Sequence, residues 1–159
     1  MIRRLFTVLF AVVGLMAIGG PALAAPPQTD TNVAKNVVES FPDVVPSCGD
    51  AGDPTHLITT TSNSVEHETT FADGRVHATF TQTGTFVAEP LDPASGLPSY
   101  TGTFTTWGGF NDSGNAVNGT FTFTVRGTGS DGSRFVVHST DHFNTTPTGA
   151  EFAFTHCHD

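Results

Sequence analysis

Three polar side chains fall where an alternating strand pattern otherwise sets apolar ones: His67, Asp141 and His156. A carboxylate and two imidazoles facing one interior can act as general acid and base, or hold the polar group of a ligand, if they lie within hydrogen-bond reach of one substrate. Otherwise they bond to one another, with Ser139 nearby in pattern, or meet water at the mouth of the fold. The tail His156-Cys157-His158-Asp159 has residue types that suit a metal ion. Structural zinc asks for four ligands at regular spacing, and only this short tail is clustered, so neither a metal nor another cofactor is expected. No Gly-x-Ser-x-Gly elbow, His-Glu-x-x-His pair, phosphate loop or dinucleotide fingerprint occurs, which leaves an enzyme without a motif to stand on.

Aromatic rings offer a different chemistry. Tyr100, Phe104, Phe121, Phe123 and Phe154 belong to the apolar side of their strands and would line an interior able to hold a small apolar molecule. Trp107 is out of phase with Phe104 and Phe110, on a Thr-rich face between Thr105 and Gly109. An indole beside small residues is a platform for a sugar ring or a partner protein, unless it packs against the Pro90 to Pro98 loop or the N-terminal segment. The Thr-x-Thr runs at 79 to 85, 101 to 105 and 120 to 124 are read as outward strand residues, since a twisted sheet does not hold Thr ladders flat.

These side chains must be positioned by strands. From His56 onward Thr, Phe and Val alternate, turn signals recur and no window has a helical period. Strands are predicted near 56–71, 75–89, 99–110, 116–129, 133–143 and 150–157, with breaks in the first two at Asn63-Ser64 and Gly84. A two-residue Asp73-Gly74 turn pairs Phe71 with Val76, Thr69 with Ala78 and His67 with Phe80. A three-residue loop ending at Gly132 aligns Val125 with Val137 and Phe121 with Asp141. The fold class predicted is all-β, a single antiparallel meander closed into a small β-barrel, with a β-sandwich as the alternative.

The N-terminus reads as an export signal. Arg3 and Arg4 precede an apolar run from Leu5 to Ile18, then Gly19-Gly20-Pro21 and Ala22-Leu23-Ala24, which suits cleavage before Ala25. The organisation expected is a signal peptide over 1–24, an irregular lead-in over 25–54 stopped by Pro42 and Pro46, and a β-barrel domain over 55–159. The destination is outside the cell, with no permanent membrane anchor. Cleavage leaves Lys35, Arg75, Arg126 and Arg134 against 15 acidic residues, two charges more negative than the −9 of the whole chain. Scattered cations in a negative field cannot neutralise a phosphate backbone, so nucleic acid is excluded as a partner. Cys48 and Cys157 are an even pair in an exported chain and read as a disulfide.

The stretch Gly127-Thr128-Gly129-Ser130-Asp131-Gly132-Ser133, the run Tyr-Thr-Gly-x-Phe-Thr-x-Trp-Gly from Tyr100 to Gly108 and the C-terminal Cys157 carry a resemblance. Over about residues 48 to 157 the chain resembles a group of small, uncharacterised exported β-barrel proteins of actinobacteria. More distantly the pattern is similar to the eight-stranded barrels of allene oxide cyclases and dirigent proteins, which handle apolar substrates. That resemblance implies a barrel with an apolar interior; no active-site residue of those enzymes aligns here, so no catalytic role is carried over. The function expected is a secreted binding module holding a small apolar molecule. The alternatives are an envelope-associated interaction protein using Trp107 and, third, a cyclase- or isomerase-like enzyme.

Overall fold

The structure, a computed structural model, describes residues 25–45, 52–145 and 151–158. The expected signal peptide and Cys48 lie outside the described residues. Seven strands form one antiparallel sheet in chain order: β1 (Gln28–Asp43), β2 (His56–Thr70), β3 (Val76–Pro90), β4 (Tyr100–Asp112), β5 (Val117–Gly129), β6 (Arg134–Thr145) and β7 (Glu151–His158). No helix occurs among the described residues. The meander predicted from alternation is therefore present. It is a single sheet rather than a sandwich, and it is not closed, because among the described residues β1 and β7 do not touch.

The lead-in is corrected. Residues 28–43, expected to be irregular, make the longest strand, paired along the whole of β2. Pro42 is tolerated because β1 is an edge, where a missing N–H can face away from the ladder. The irregularity expected at Asn63-Ser64 sits instead on the partner strand: β2 and β3 run unbroken, while β1 shifts register between Ala34 and Val37. There Asn36 adopts a φ of 54°, and its N–H donates to Asn63 Oδ1 at 3.0 Å.

The hairpins on either side of the sheet use one geometry. In β5–β6 the Gly129 N–H donates to the Ser133 carbonyl at 2.8 Å and the Gly132 N–H to the Gly129 carbonyl at 2.9 Å, with Gly132 at a φ of +85°. This is the three-residue loop expected, and it delivers the Val125–Val137 and Phe121–Asp141 pairs. In β2–β3 the Phe71 N–H donates to Arg75 and the Gly74 N–H to Phe71, both at 2.9 Å, with Gly74 at +84°. The expected two-residue turn is thus corrected to three residues, and every pair moves by one: Thr70 faces Val76, Glu68 faces Ala78, and Glu66, not His67, faces Phe80. Each loop is held by an aspartate whose Oδ1 accepts the N–H two residues on, Asp73 from Arg75 at 3.2 Å and Asp131 from Ser133 at 2.9 Å.

One face of the sheet carries the rings, and glycines set its curl. Phe80 and Phe121 both pair with Gly108, and their rings meet at 5.4 Å. Phe86, Gly102, Gly127 and Phe135 form a row across four strands, where three spacings in a flat sheet would span about 14 Å. Because the two middle residues have no side chain, the Phe86 and Phe135 rings close to 6.3 Å. A Cβ on Gly102 would come within 2.6 Å of the Phe86 ring. Ring over glycine is a recognised device for bending a sheet while keeping it covered.

The tightest packing lies where β3 ends and β4 begins. Phe86, Ala88 and Tyr100 are buried there, with Val45, Ile58, Val125 and Phe135 against them. Tyr100 meets Phe135 edge-on at 5.5 Å. Burying rings of this size contributes about 1.5–3 kcal/mol each. His56, only 1 % exposed, shares a 2.8 Å hydrogen bond with Thr55 Oγ1 through Nδ1 and donates from Nε2 to the Pro98 carbonyl at 3.0 Å. That fixes its tautomer and ties the 91–99 loop to β2.

Candidate functional site

The acid–base trio is not brought together. The one-residue shift in the first hairpin puts His67 on the outer face, where Nδ1 bonds to Thr31 Oγ1 at 2.9 Å. Asp141 is on the inner face opposite Phe121, accepting from Ser139 Oγ at 3.3 Å. His156 stands opposite Thr140, one position out of step with Asp141. Since opposite residues of a ladder share a face and neighbours alternate, His67 and Asp141 are separated by the thickness of the sheet.

The aromatic ligand set divides. Tyr100, Phe104, Phe121 and Phe123 lie on the inner face and spend much of their surface on other rings. Phe104 lies 6.3 Å from Phe123, and Phe121 stacks on Phe143 at 5.2 Å with 11° between the planes. Phe154, expected on the same side, pairs with His142, so β7 enters one residue out of the assumed alternation. Two depressions of about 410 Å³ each occur among the described residues, and neither is lined by Tyr100, Phe104, Phe121 or Phe123.

Trp107 lies where the alternation sets it, on the outer face and 53 % exposed. It pairs with Thr81 on one side and Thr122 on the other. Two residues along, Gly109 leaves the floor beside the indole bare, and a Cβ there would meet the Ala78 carbonyl at 2.5 Å. Thr79, Thr81, Thr120, Phe80 and the backbone of Gly108 and Gly109 complete this first depression with the indole. Thr120 Oγ1 shares a 2.9 Å hydrogen bond with His142 Nδ1, which holds that hydroxyl beside the bare floor.

The second depression continues the same strip of β3 and β4. It is lined by Phe71, Arg75, Val76, His77, Asn111, Asp112 and Ser113. His77 Nδ1 donates to Asn111 Oδ1 at 2.7 Å, and Asn111 Nδ2 donates to Asn118 Oδ1 at 3.2 Å. The Arg75 guanidinium lies over the Phe71 ring at 4.8 Å and is paired with Asp73 at 2.8 Å. The Arg75 N–H and then its side chain hold the Asp73 carboxyl below its ordinary value. Four residues separate the Thr81–Trp107 pair from the His77–Asn111 pair, a length of about 13 Å. The result is a strip with one exposed indole, a bare floor, hydroxyls and amides along it, and a neutralised cation over the Phe71 ring at its far end.

No protein-family model, curated protein or solved structure matches the chain. Gly109 was named beside Trp107 from the sequence, and Thr79 and Thr120 only as outward strand residues, whereas Asn111 and His142 were not assigned to this surface. The signal that points to it is the Trp107-Gly108-Gly109 run, whose second glycine follows the indole on the same face.

Proposed function

We propose that the protein is an exported binding module whose ligand is an uncharged, hydroxyl-rich chain of rings, a neutral glycan, laid along the β3–β4 strip with one ring stacked on Trp107. The observation that carries this reading is the exposed indole beside a bare glycine floor and bonded hydroxyl and amide side chains. Indole presents a flat apolar surface to the C–H face of a sugar, while threonine and asparagine exchange hydrogen bonds with its hydroxyls. The excess of acidic residues disfavours polyanionic ligands.

Trp107 is the single tryptophan of the chain, so its fluorescence reports this strip alone. Titration of the mature protein with a panel of neutral soluble polysaccharides should shift and saturate that emission. In a pull-down on the polysaccharide that binds, Trp107→Ala should weaken retention about tenfold, equivalent to about 1.4 kcal/mol. An emission spectrum unmoved by every member of the panel at millimolar ring concentration removes the proposal.

A second reading is the barrel with an apolar ligand, and the curl imposed by the ring-over-glycine rows favours it. β1 and β7 run in the same direction, and Cys157 pairs with Ser139 at the end of the sheet where β1 finishes. Cys48 follows β1 by five residues, so a Cys48–Cys157 disulfide would draw the two edges together and enclose the aromatic rows. Native mass spectrometry of protein exported by its own host tests it. A retained apolar molecule is the expected result, and a bare polypeptide mass counts against it.

A further inference from the structure

The charged residues of the sheet are sorted by face. In strands β1 to β6 every Asp and Glu except Glu89 occupies a position of the ring-bearing inner face, while no Lys or Arg does. Arg126 and Arg134 alternate to the outer face, and Lys35 lies at the register shift of β1. Two neighbouring rows bring the inner carboxylates to the rings. In one, Glu66, Phe80, Gly108, Phe121 and Asp141 stand opposite one another in turn from β2 to β6. In the next, Asp30 stands opposite Glu68, which stands opposite Ala78, itself opposite Phe110. Phe80 and Phe121 meet at 5.4 Å across Gly108, and Phe121 stacks on Phe143 at 5.2 Å, so the middle of the first row is an aromatic floor with a carboxylate on each flank. A flat sheet would set the two flanks about 19 Å apart, four strand spacings, and the curl of the ring rows shortens that span.

We propose that, with the apolar-ligand reading above as its basis, the inner face takes an organic cation, its apolar body on the Phe80–Phe121–Phe143 floor and its ammonium group beside Glu66. Charge complementarity selects this occupant. Ring faces attract an ammonium group, and the carboxylates on the flanks repel an anion of the same shape. Phe80, Phe121 and Phe143 are half-buried, so the floor still has apolar area to remove from water. Among the described residues the one ion pair is Arg75 with Asp73, which leaves Glu66 without a cationic partner. Asp141 on the other flank already accepts from Ser139 Oγ at 3.3 Å. No group of three ligating side chains among the described residues stands close enough to hold a metal ion. The negative charge is instead spread over a length that suits a cation with a body of its own.

The test titrates the mature chain by calorimetry with phenylbutylamine, phenylbutanol and phenylbutyrate, one apolar body that is cationic, neutral or anionic at neutral pH. The amine should bind at least about tenfold tighter than the alcohol, and the carboxylate weakest of the three. Glu66→Gln should remove most of that preference. Glu89→Gln, the same loss of charge at an exposed position of the outer face, should leave it intact. Saturating amine should shift the ring signals of Phe80 and Phe121 in nuclear magnetic resonance spectra and leave Trp107 emission unmoved, since the indole is on the other face. An alcohol that binds as tightly as the amine overturns the cation and keeps the apolar ligand, whereas no binding by any of the three at millimolar concentration removes both. A Glu89→Gln chain that loses as much preference as Glu66→Gln also overturns the proposal, because the attraction would then belong to the net charge of the chain and not to this face.

Discussion

The inner face of the sheet is built from rings that touch one another, and the outer face largely from short polar side chains around the half-exposed indole of Trp107. On the inner face Phe86, Phe121, Phe135 and Phe143 lean over glycines of neighbouring strands, and the rings, Phe80 included, meet one another. On the outer face the chains of contact are hydrogen bonds, such as Thr31 with His67, His77 with Asn111 and Thr120 with His142. The difference separates two tasks. Apolar area removed from water stabilises the fold on one side, while the other leaves the Trp107 indole and many hydroxyls facing water, the surface the proposed glycan would use.

If that division holds, the largest effect comes from breaking the inner face. Phe86→Ala should cost about 3–5 kcal/mol in urea unfolding, the usual range for a buried Phe, because Gly102 and Gly127 bring no side chain to fill the gap it would leave beside Phe135. A loss below 1 kcal/mol would show that the row is not the core. Reduction of the proposed Cys48–Cys157 bond, which would join the edges, comes next. It should lower stability by about 2–4 kcal/mol and raise the mass of the mature chain by two hydrogens. Two titratable thiols in the native mature protein would exclude the bond.

The outer face should respond in the opposite way. Trp107→Ala should change unfolding free energy by no more than about 0.5 kcal/mol while weakening glycan binding about tenfold, so that stability and binding are lost by different substitutions. A Trp107→Ala chain that unfolds as readily as Phe86→Ala would merge the two faces into one role. The smallest effect concerns the hairpin loops. Asp73 and Asp131 are held below the ordinary 3.8, Asp73 first by the Arg75 N–H and Asp131 first by the Ser133 hydroxyl. A depressed carboxyl contributes stability that is fully present above its unfolded value and lost as pH falls through its folded value. The amide signals of Gly74 and Gly132 should therefore stay constant from pH 6 to about 4 and loosen only below. Loosening already between pH 6 and 5 would show that these carboxylates do not hold the loops.

Those two loops also mark how far the sequence could be read. Both have Asp-Gly followed by a strand, and both form the same three-residue loop. The β5–β6 register was legible because only one choice puts Val125 opposite Val137 and keeps His138 and His142 off the ring-bearing face. The same criterion misled in β2–β3, where a sealed core would exclude Glu66 and Glu68. The sheet is open on the β1–β2 side, both glutamates remain partly exposed, and the register that the loop geometry prefers wins. With it His67 moved to the outer face, and the acid–base trio ended there. β7 slipped for a similar reason, since only its pairing with β6 assigns Phe154 a partner.

The sequence by itself determined the strands from His56 onward, their meander order, the outward position of Trp107 and the presence of a ring-bearing face, because alternation and turn residues act within a few positions of one another. Only the tertiary structure decided which ring lies over which glycine, that residues 28–43 join the sheet, and the register in which β7 pairs with β6. These depend on register summed across several ladders, and a shift of one residue in any ladder moves every side chain of a strand to the opposite face.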